Sequence, residues 1–342
     1  MTDQRIAVLG AGANGAIIGA DLTAAGLDVT LIEQWPAHVE AMRERGLRVL
    51  SPEGELHVQP RTLHLCQVAE LRTRFDVVLM LMKAYDSRWA AQLIEPHLAD
   101  DGLLVGVQNG MTAETIRDIV GPERTIGCVI ECSATMNEPG IVHRHTGVSR
   151  SWYAVGALPD GPAGREEEIA ALLRHSGTVA HFDDILSAKW MKLVSNATLL
   201  VTSAILGLPM LDALGMPGFR DVMVAAGEEA LAVGLATGHR ILPIFGLTAD
   251  EIADPDKVVD IMTDKLFTGF VVPGATTTVL QDWTKGRHSE VDDLNGEVVR
   301  RAAGTGIAVP VNRAIVELAH RIERGETEPG IVHLAALTSA VR

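Results

Sequence analysis

Six residues near the start of the chain, Gly10-Ala11-Gly12-Ala13-Asn14-Gly15, limit what it can fold into more than any other stretch. They stand directly after the apolar run Ile6-Ala7-Val8-Leu9 and directly before a segment of helical periodicity. Three glycines so spaced between a strand and a helix serve three needs. Gly10 permits a tight turn, Gly12 lets the backbone approach a diphosphate, and Gly15 allows close packing of helix on sheet. The first N–H groups of the helix, which opens at Asn14 directly after Ala13, present the positive end of the helix dipole to an anion. The pattern calls for a βαβ unit, a parallel sheet and a bound dinucleotide.

The second strand candidate, Val29–Glu33, ends in a carboxylate 18 positions after Gly15, near the offset of a ribose-binding acid. Glu33 can accept hydrogen bonds from both ribose hydroxyls and repels a 2′-phosphate. No Lys or Arg follows until Arg43, so NAD is favoured over NADP. Further strands are expected at Val77–Met82, Leu103–Val107 and Thr125–Ile130, with helices at Asn14–Ala25, His38–Arg45, Ser87–Leu98 and Ala113–Val120 between them. Ile141–His145 and Ser151–Val155 read as an antiparallel extension, Ile169–His175 as a helix and Thr178–His181 as a last strand.

Beyond Ser187 helical periodicity takes over, with candidates at Ala188–Ile205, Met216–Ala236, Asp256–Lys265, Thr277–Thr284, Glu290–Gly304 and Val311–Glu323. Pro243–Asp254 reads as a surface connection. The expected division is therefore a doubly wound, mainly parallel α/β domain over 1–183 and an all-helical domain over 184–342 that binds substrate and forms a dimer.

The net charge of −15 argues against nucleic acid and anionic membranes as partners, while a buried lysine still allows a small anionic substrate. Cys66, Cys128 and Cys132 match no metal or disulfide spacing and read as buried reduced thiols. The N-terminus lacks the basic region of a signal peptide, and the apolar stretch from Leu193 to Leu214 is interrupted by Asn196, Pro209 and Asp212, so a cytoplasmic protein without a membrane span is expected.

With the third strand in view, the sequence resembles the ketopantoate reductase family along essentially its whole length. The matching pieces are GAGANG at 10–15, LMLMKAYD at 79–86, VQNGM at 107–111, AKWMKLVSNA at 188–197 and TTTVLQDWTKGRHSEVDDLNGEVVRRAAGTGIAVPVN at 276–312. The resemblance implies a Rossmann domain, a helical domain and an active site in the cleft between them. It also implies that Lys83 lies near the cofactor and that Asn109 stands beside the nicotinamide ribose and the substrate. By the same resemblance Lys192 is the catalytic lysine, Asn196 and Thr278 bind substrate, and Glu290 is the active-site glutamate.

Elementary chemistry points to the same residues. Lys83 and Asn109 follow consecutive strands, at the sheet edge where doubly wound folds bind ligands. Lys192 and Asn196 are one helical turn apart and share a face. A lysine ammonium in a closed cleft can stabilise and protonate the oxygen of a 2-oxo acid as hydride reaches its carbon. Ser289 reads as an N-cap that places Glu290 in a first helical turn, and Lys189 is assigned to the surface. His143 and His145 read as an exposed strand, and Trp190 and Met191 as packing against the neighbouring domain.

Where relatives commonly carry a second asparagine this chain has Leu200, which points to a substrate with a more apolar end than ketopantoate. The expectation is an NAD-preferring 2-oxo acid reductase, or 2-hydroxy acid dehydrogenase, with Lys192 as general acid/base. The alternatives are an NADPH-dependent 2-dehydropantoate 2-reductase of pantothenate biosynthesis and a non-catalytic dinucleotide sensor.

Overall fold

The structure, a computed structural model, describes residues 4–341. They form two compact units, one of residues up to Gln108 with Thr112–Leu186, the other of Asn109–Met111 with the residues from Ser187 onward.

The first unit runs β1 (Arg5–Leu9), α1 (Ala13–Ala24), β2 (Asp28–Glu33), α2 (Pro36–Arg45), β3 (Leu47–Ser51), β4 (Gly54–Val58), β5 (Arg61–His64), β6 (Phe75–Met80), α3 (Ser87–Ile94), β7 (Leu98–Val107) and α4 (Thr112–Val120). It continues through β8 (Thr125–Glu131), β9 (Ala134–Glu138), β10 (Ile141–Arg144), β11 (Trp152–Ala157), α5 (Glu166–Leu173) and β12 (Thr178–His181). Eight strands pair in the order β12-β11-β8-β7-β6-β1-β2-β5. From β5 to β8 every neighbouring pair is parallel, and β11 joins β8 antiparallel. Of these, β2, β1, β6, β7 and β8 are buried on both faces by two apolar clusters, which explains why they read as continuous apolar runs rather than alternating ones.

Strand order turns outward in both directions from β1 and β6, so the carboxyl ends of those two strands flank the switch point where doubly wound sheets bind ligands. The Gly10–Gly15 turn leaves β1, and Lys83 follows β6.

The antiparallel extension expected at Ile141–His145 and Ser151–Val155 divides between two sheets. Ser151–Val155 falls in β11 of the large sheet, whereas β10 lies in a second sheet of order β4-β3-β10-β9, parallel to β3 and antiparallel to β9. The strands β3, β4, β5 and β9 were not expected: they are short and half-buried, so the burial that would mark them is weak.

The second unit comprises α6 (Ile185–Ile205, nearly all of it), α7 (Met210–Leu214), α8 (Phe219–Ala236), α9 (Val258–Gly269), α10 (Thr278–Thr284), α11 (Asn295–Ala302), α12 (Pro310–Glu323) and α13 (Leu334–Ala340). The single helix expected over Glu290–Gly304 is broken. Val291–Asp293 makes a 3-10 turn, Leu294 leaves helical geometry at φ −108°, ψ −102°, and α11 then restarts. The restart turns Asn295 inward, where its side-chain amide donates to the Ala197 carbonyl at 3.1 Å and to Asn312 Oδ1 at 2.9 Å. These tertiary bonds override the local periodicity.

Pro243–Asp254 is likewise more than a surface connection, because Ile244, Phe245 and Leu247 are buried. Trp190 stacks on His239 within this unit, with ring centroids 4.8 Å apart, and donates its indole N–H to the Ala230 carbonyl. Of the three thiols Cys128 is buried and Cys132 half-buried, but Cys66 is exposed, a correction to the expected burial of all three. Among the described residues no helix is long and apolar enough to cross a membrane, and no cluster of His, Cys, Asp or Glu could hold a metal ion.

Candidate active site

The glycine-rich turn is built by close backbone approach. Gly10 has φ +92°, and a Cβ there would lie 2.9 Å from the backbone of Leu81 and Met82. At Gly15 a Cβ would lie 2.1 Å from the Gly10 carbonyl oxygen. Gly12 differs, because a Cβ built on it meets no protein atom within 4 Å. Its glycine is therefore not required by the protein's own packing, and it leaves backbone accessible from outside. Gly12 is the N-cap of α1 and offers no side-chain cap, so the first amides of the helix remain available to an anion. Asn14, in the opening turn, buries its Oδ1 without a hydrogen-bond partner. An uncapped helix start, an open glycine and an orphaned acceptor fit a dinucleotide diphosphate and its ribose hydroxyls. Ala13 begins the helix beside them.

Glu33 ends β2, is buried, and accepts the Trp35 amide through Oε1 at 2.8 Å. Lys83 is half-buried and precedes a 3-10 turn over Ala84–Asp86. The loop carrying it is tied down by a residue sequence reasoning passed over. Gln108 donates its amide to the Met82 carbonyl at 2.7 Å and to Ser87 Oγ at 3.0 Å. Its position beside the Asn-Gly turn at the end of β7 was the available signal.

In the second unit Lys192 and Asn196 lie on α6, 8% and 2% exposed. The Lys192 ammonium sits 4.9 Å from the centroid of the Phe245 ring, a cation–π contact. Phe245 itself is held at φ +56°, a conformation rare for a bulky side chain. Asn196 donates through Nδ2 to Asn109 Oδ1 at 3.1 Å, so the tripeptide after β7 is joined to the lysine-bearing face of α6. Leu200, a further turn along, is half-buried.

Lys189, expected at the surface, is buried at 2% exposure, because α6 is covered almost all round and has no solvent face there for it to occupy. Thr278 opens α10 after Thr277, whose hydroxyl accepts the Leu280 amide at 3.3 Å. The Thr278 hydroxyl oxygen is shielded and has no hydrogen-bond partner.

Glu290 is 5% exposed, and its carbonyl accepts the amides of Asp293 and Leu294, both at 3.0 Å. Ser289 is not the expected N-cap. Its hydroxyl donates to Glu323 Oε1 at 2.6 Å, and Glu290 itself occupies the capping position of the 3-10 turn. Burial, reinforced by the charges of Glu290 and Asp292, pushes the Asp293 carboxyl up to about 6. His143 is exposed, while His145 is half-buried with Nε2 3.0 Å from Thr135 Oγ1.

The chain was compared with known proteins. A family model described as ketopantoate reductase PanE/ApbA matches residues 6–159, and the model of its C-terminal region matches residues 184–323. The chain is 30% identical to a 2-dehydropantoate 2-reductase of Caulobacter vibrioides, over 92% of this chain and 97% of that protein. It is 26% identical to the enzyme of the same name from Archaeoglobus fulgidus, over 95% of this chain and 100% of that protein. Among solved structures, a PanE/ApbA family ketopantoate reductase from Ralstonia eutropha aligns with a TM-score of 0.79 and 29% identity, covering 94% of this chain and 99% of its own. A D-mandelate dehydrogenase solved with NADH and anilino(oxo)acetate shares the fold at a TM-score of 0.82 and 22% identity, with coverage of 94% and 99%. With both family models matched in order along most of its length, the chain belongs to the ketopantoate reductase family, oxidoreductases that use a nicotinamide dinucleotide on CH–OH groups.

Proposed function

We propose that the protein is an NAD-preferring reductase of 2-oxo acids, and in reverse a dehydrogenase of 2-hydroxy acids, with Lys192 as its general acid/base. The observation that carries this reading is Lys192 itself: a lysine 8% exposed, over the Phe245 ring, one turn from the Asn196–Asn109 pair. An ammonium so enclosed can give a proton to a carbonyl oxygen without competition from bulk water. The nicotinamide, when bound, supplies or takes up the hydride at the carbinol carbon.

Lys192 then donates its proton to the developing alkoxide and is left as the neutral amine. Asn196 and Asn109 orient the substrate oxygens, and Thr278 offers its unpartnered hydroxyl to the substrate carboxylate. Glu290 accepts from a substrate hydroxyl or orients Lys192. The turn from Gly10 to Gly15, with Ala13 and Asn14, holds the diphosphate, Glu33 takes the adenosine ribose, and Lys83 lies against the cofactor.

Leu200 favours a substrate with a branched or aromatic end. The mandelate dehydrogenase is a precedent for this fold acting beside NADH on an aromatic acid, though the likeness extends to fold alone. A second reading, NADPH-dependent reduction of ketopantoate, is favoured by the names of the curated relatives. Steady-state kcat/KM for ketopantoate and a panel of branched and aromatic 2-oxo acids, each with NADH and NADPH, separates the two. Higher efficiency with NADH and an apolar oxo acid is expected, and efficiency confined to ketopantoate with NADPH overturns the proposal. Lys192→Ala is expected to bind NADH normally and lose at least about a hundredfold in kcat. We further propose a cytoplasmic homodimer, checked by fractionation and light scattering.

A further inference from the structure

His38 stands third in α2, is 0% exposed, and is used by none of the groups assigned above. Both of its ring nitrogens are engaged. The Gly140 amide, in the turn between β9 and β10, donates to Nδ1 at 2.8 Å, and Nε2 lies 3.1 Å from the Ala11 carbonyl oxygen. An amide can only donate, so Nδ1 must be the acceptor, and the one proton of the neutral ring sits on Nε2 and is given to Ala11. Burial lowers the imidazole's pKa and keeps it in that neutral form. The Trp35 indole stacks over the ring with centroids 6.0 Å apart.

Ala11 lies between the first two glycines of the turn. The Gly12 carbonyl is already fixed by the first helical bond, from the Ala16 amide at 2.8 Å. The preceding peptide has no such anchor. Its carbonyl and the Gly12 N–H share one trans peptide plane and point in opposite directions. Whatever holds the Ala11 oxygen therefore also sets where the Gly12 N–H points, at the glycine that leaves open space beside it.

We infer that His38 is a positioning residue for dinucleotide binding: its Nε2–H clamps the Ala11 carbonyl and so aims the Gly12 amide at the diphosphate. The inference rests on the reading of the glycine-rich turn as the dinucleotide site. Two substitutions separate the clamp from mere packing. Asn places an acceptor where Nδ1 stands, keeping Gly140 but losing Ala11, whereas Gln places a donor where Nε2 stands, keeping Ala11 but losing Gly140.

NADH and NADPH are titrated calorimetrically into the full-length wild type, His38→Asn and His38→Gln, with the melting temperature of each unliganded protein measured alongside. Each variant loses one buried hydrogen bond, so similar drops in melting temperature are expected. The Kd for the preferred dinucleotide should rise about fivefold to tenfold in His38→Asn and stay within about twofold in His38→Gln. At saturating dinucleotide kcat should be unchanged in both, so the defect appears in KM for dinucleotide and not for oxo acid.

Equal changes of Kd in the two variants, or none in His38→Asn, overturn the inference while leaving the dinucleotide site standing. A wild type that binds neither NADH nor NADPH overturns both. Should either variant fail to fold, the nitrogen-labelled histidine spectrum of the wild type decides. Nε2 should be protonated and Nδ1 not, with the Nε2–H resonance moving as NADH saturates the protein. The opposite tautomer or an unmoved resonance counts against the clamp.

Discussion

Replacing Arg144 by Met tests the polar knot that braces α1 at the end remote from its glycine-rich turn. Arg144 and Asp21 pair at 3.0 Å with side chains 3% and 10% exposed. Asp21 lies in the last turns of α1, where the helix dipole disfavours a negative charge, so the guanidinium supplies what the backbone withholds. Arg144 also donates to Ser151 Oγ at 3.0 Å, to the Thr146 carbonyl at 2.9 Å and to the Ser176 carbonyl. Methionine keeps the aliphatic bulk but strands the carboxylate with one remaining side-chain donor, Ser176 Oγ at 2.6 Å.

Breaking a buried pair on one side costs about 3–5 kcal/mol, which for a unit of this size lowers the melting temperature by roughly 6–20 °C. The pH dependence fixes the cause. Burial already holds the Asp21 carboxyl above its usual 3.8, against the opposing pull of Ser176 and Arg144. A folded-state pKa above the unfolded one means that the fold binds the proton more tightly. Its contribution is therefore most favourable at low pH and declines as pH rises from about 4 to the folded value.

Without Arg144 that value moves further up and the decline runs on to higher pH. Scanning calorimetry of both proteins should show a deficit at about pH 4, from the hydrogen bonds lost to Ser151, Thr146 and Ser176, that widens toward neutrality, with Asp21→Asn in the Arg144→Met background recovering part of the widening. A deficit under about 1 kcal/mol, or one of equal size at every pH, would refute the reasoning.

Two further outcomes follow from geometry already described. Gly15→Ala drives a methyl onto the Gly10 carbonyl oxygen at 2.1 Å, a backbone atom that cannot swing aside, so NADH binding measured by calorimetry should be lost and the melting temperature lowered. Wild-type affinity in that variant would show that the turn can relax. Asp293→Asn removes a carboxyl that titrates near about 6 because of burial, Glu290 and Asp292. Since that pKa is raised, the variant should match the wild type near about pH 4 and exceed its stability above about pH 7 by roughly 1–2 kcal/mol after solvent screening, read from thermal melts across pH.

The parts of the fold legible in the sequence were those whose periodicity is set by deep burial. β1, β2, β6, β7 and β8 are covered on both faces and so carry unbroken apolar runs. β3, β4 and β9 are short hairpin strands that bury little, so no apolar run announces them, whereas β10 was readable but its pairing with the distant β3 was not. At the site, Lys192 and Asn196 were readable through the family resemblance, with which their one-turn spacing agrees, and the Asn196–Asn109 bond joins two residues that the resemblance singled out separately.

Phe245 was missed because Pro243, Gly246 and Asp250 around it suggest a loop. The apolar quartet Leu242, Ile244, Phe245 and Leu247 was the signal that this loop has an inner side. Lys189 went astray because the family pattern singled out Lys192 and left Lys189 to the surface, whereas its helix has almost no solvent face. His38 looked like an ordinary helical residue, since only the fold brings Ala11 and Gly140 to its two nitrogens.

The order of residues along α6 also makes that helix a ruler. Lys192, Asn196 and Leu200 recur every four positions on one face, and at 1.5 Å per residue they stand about 6 Å apart along its axis. On the proposed reading the first mark is the proton donor, the second a polar grip and the third an apolar stop. Reach and polarity of the accepted acid can then drift by changes at the third mark while the first stays fixed. Swapping Leu200 among Asn, Ala and Phe would relocate the far end of the substrate without moving the atom that receives the proton.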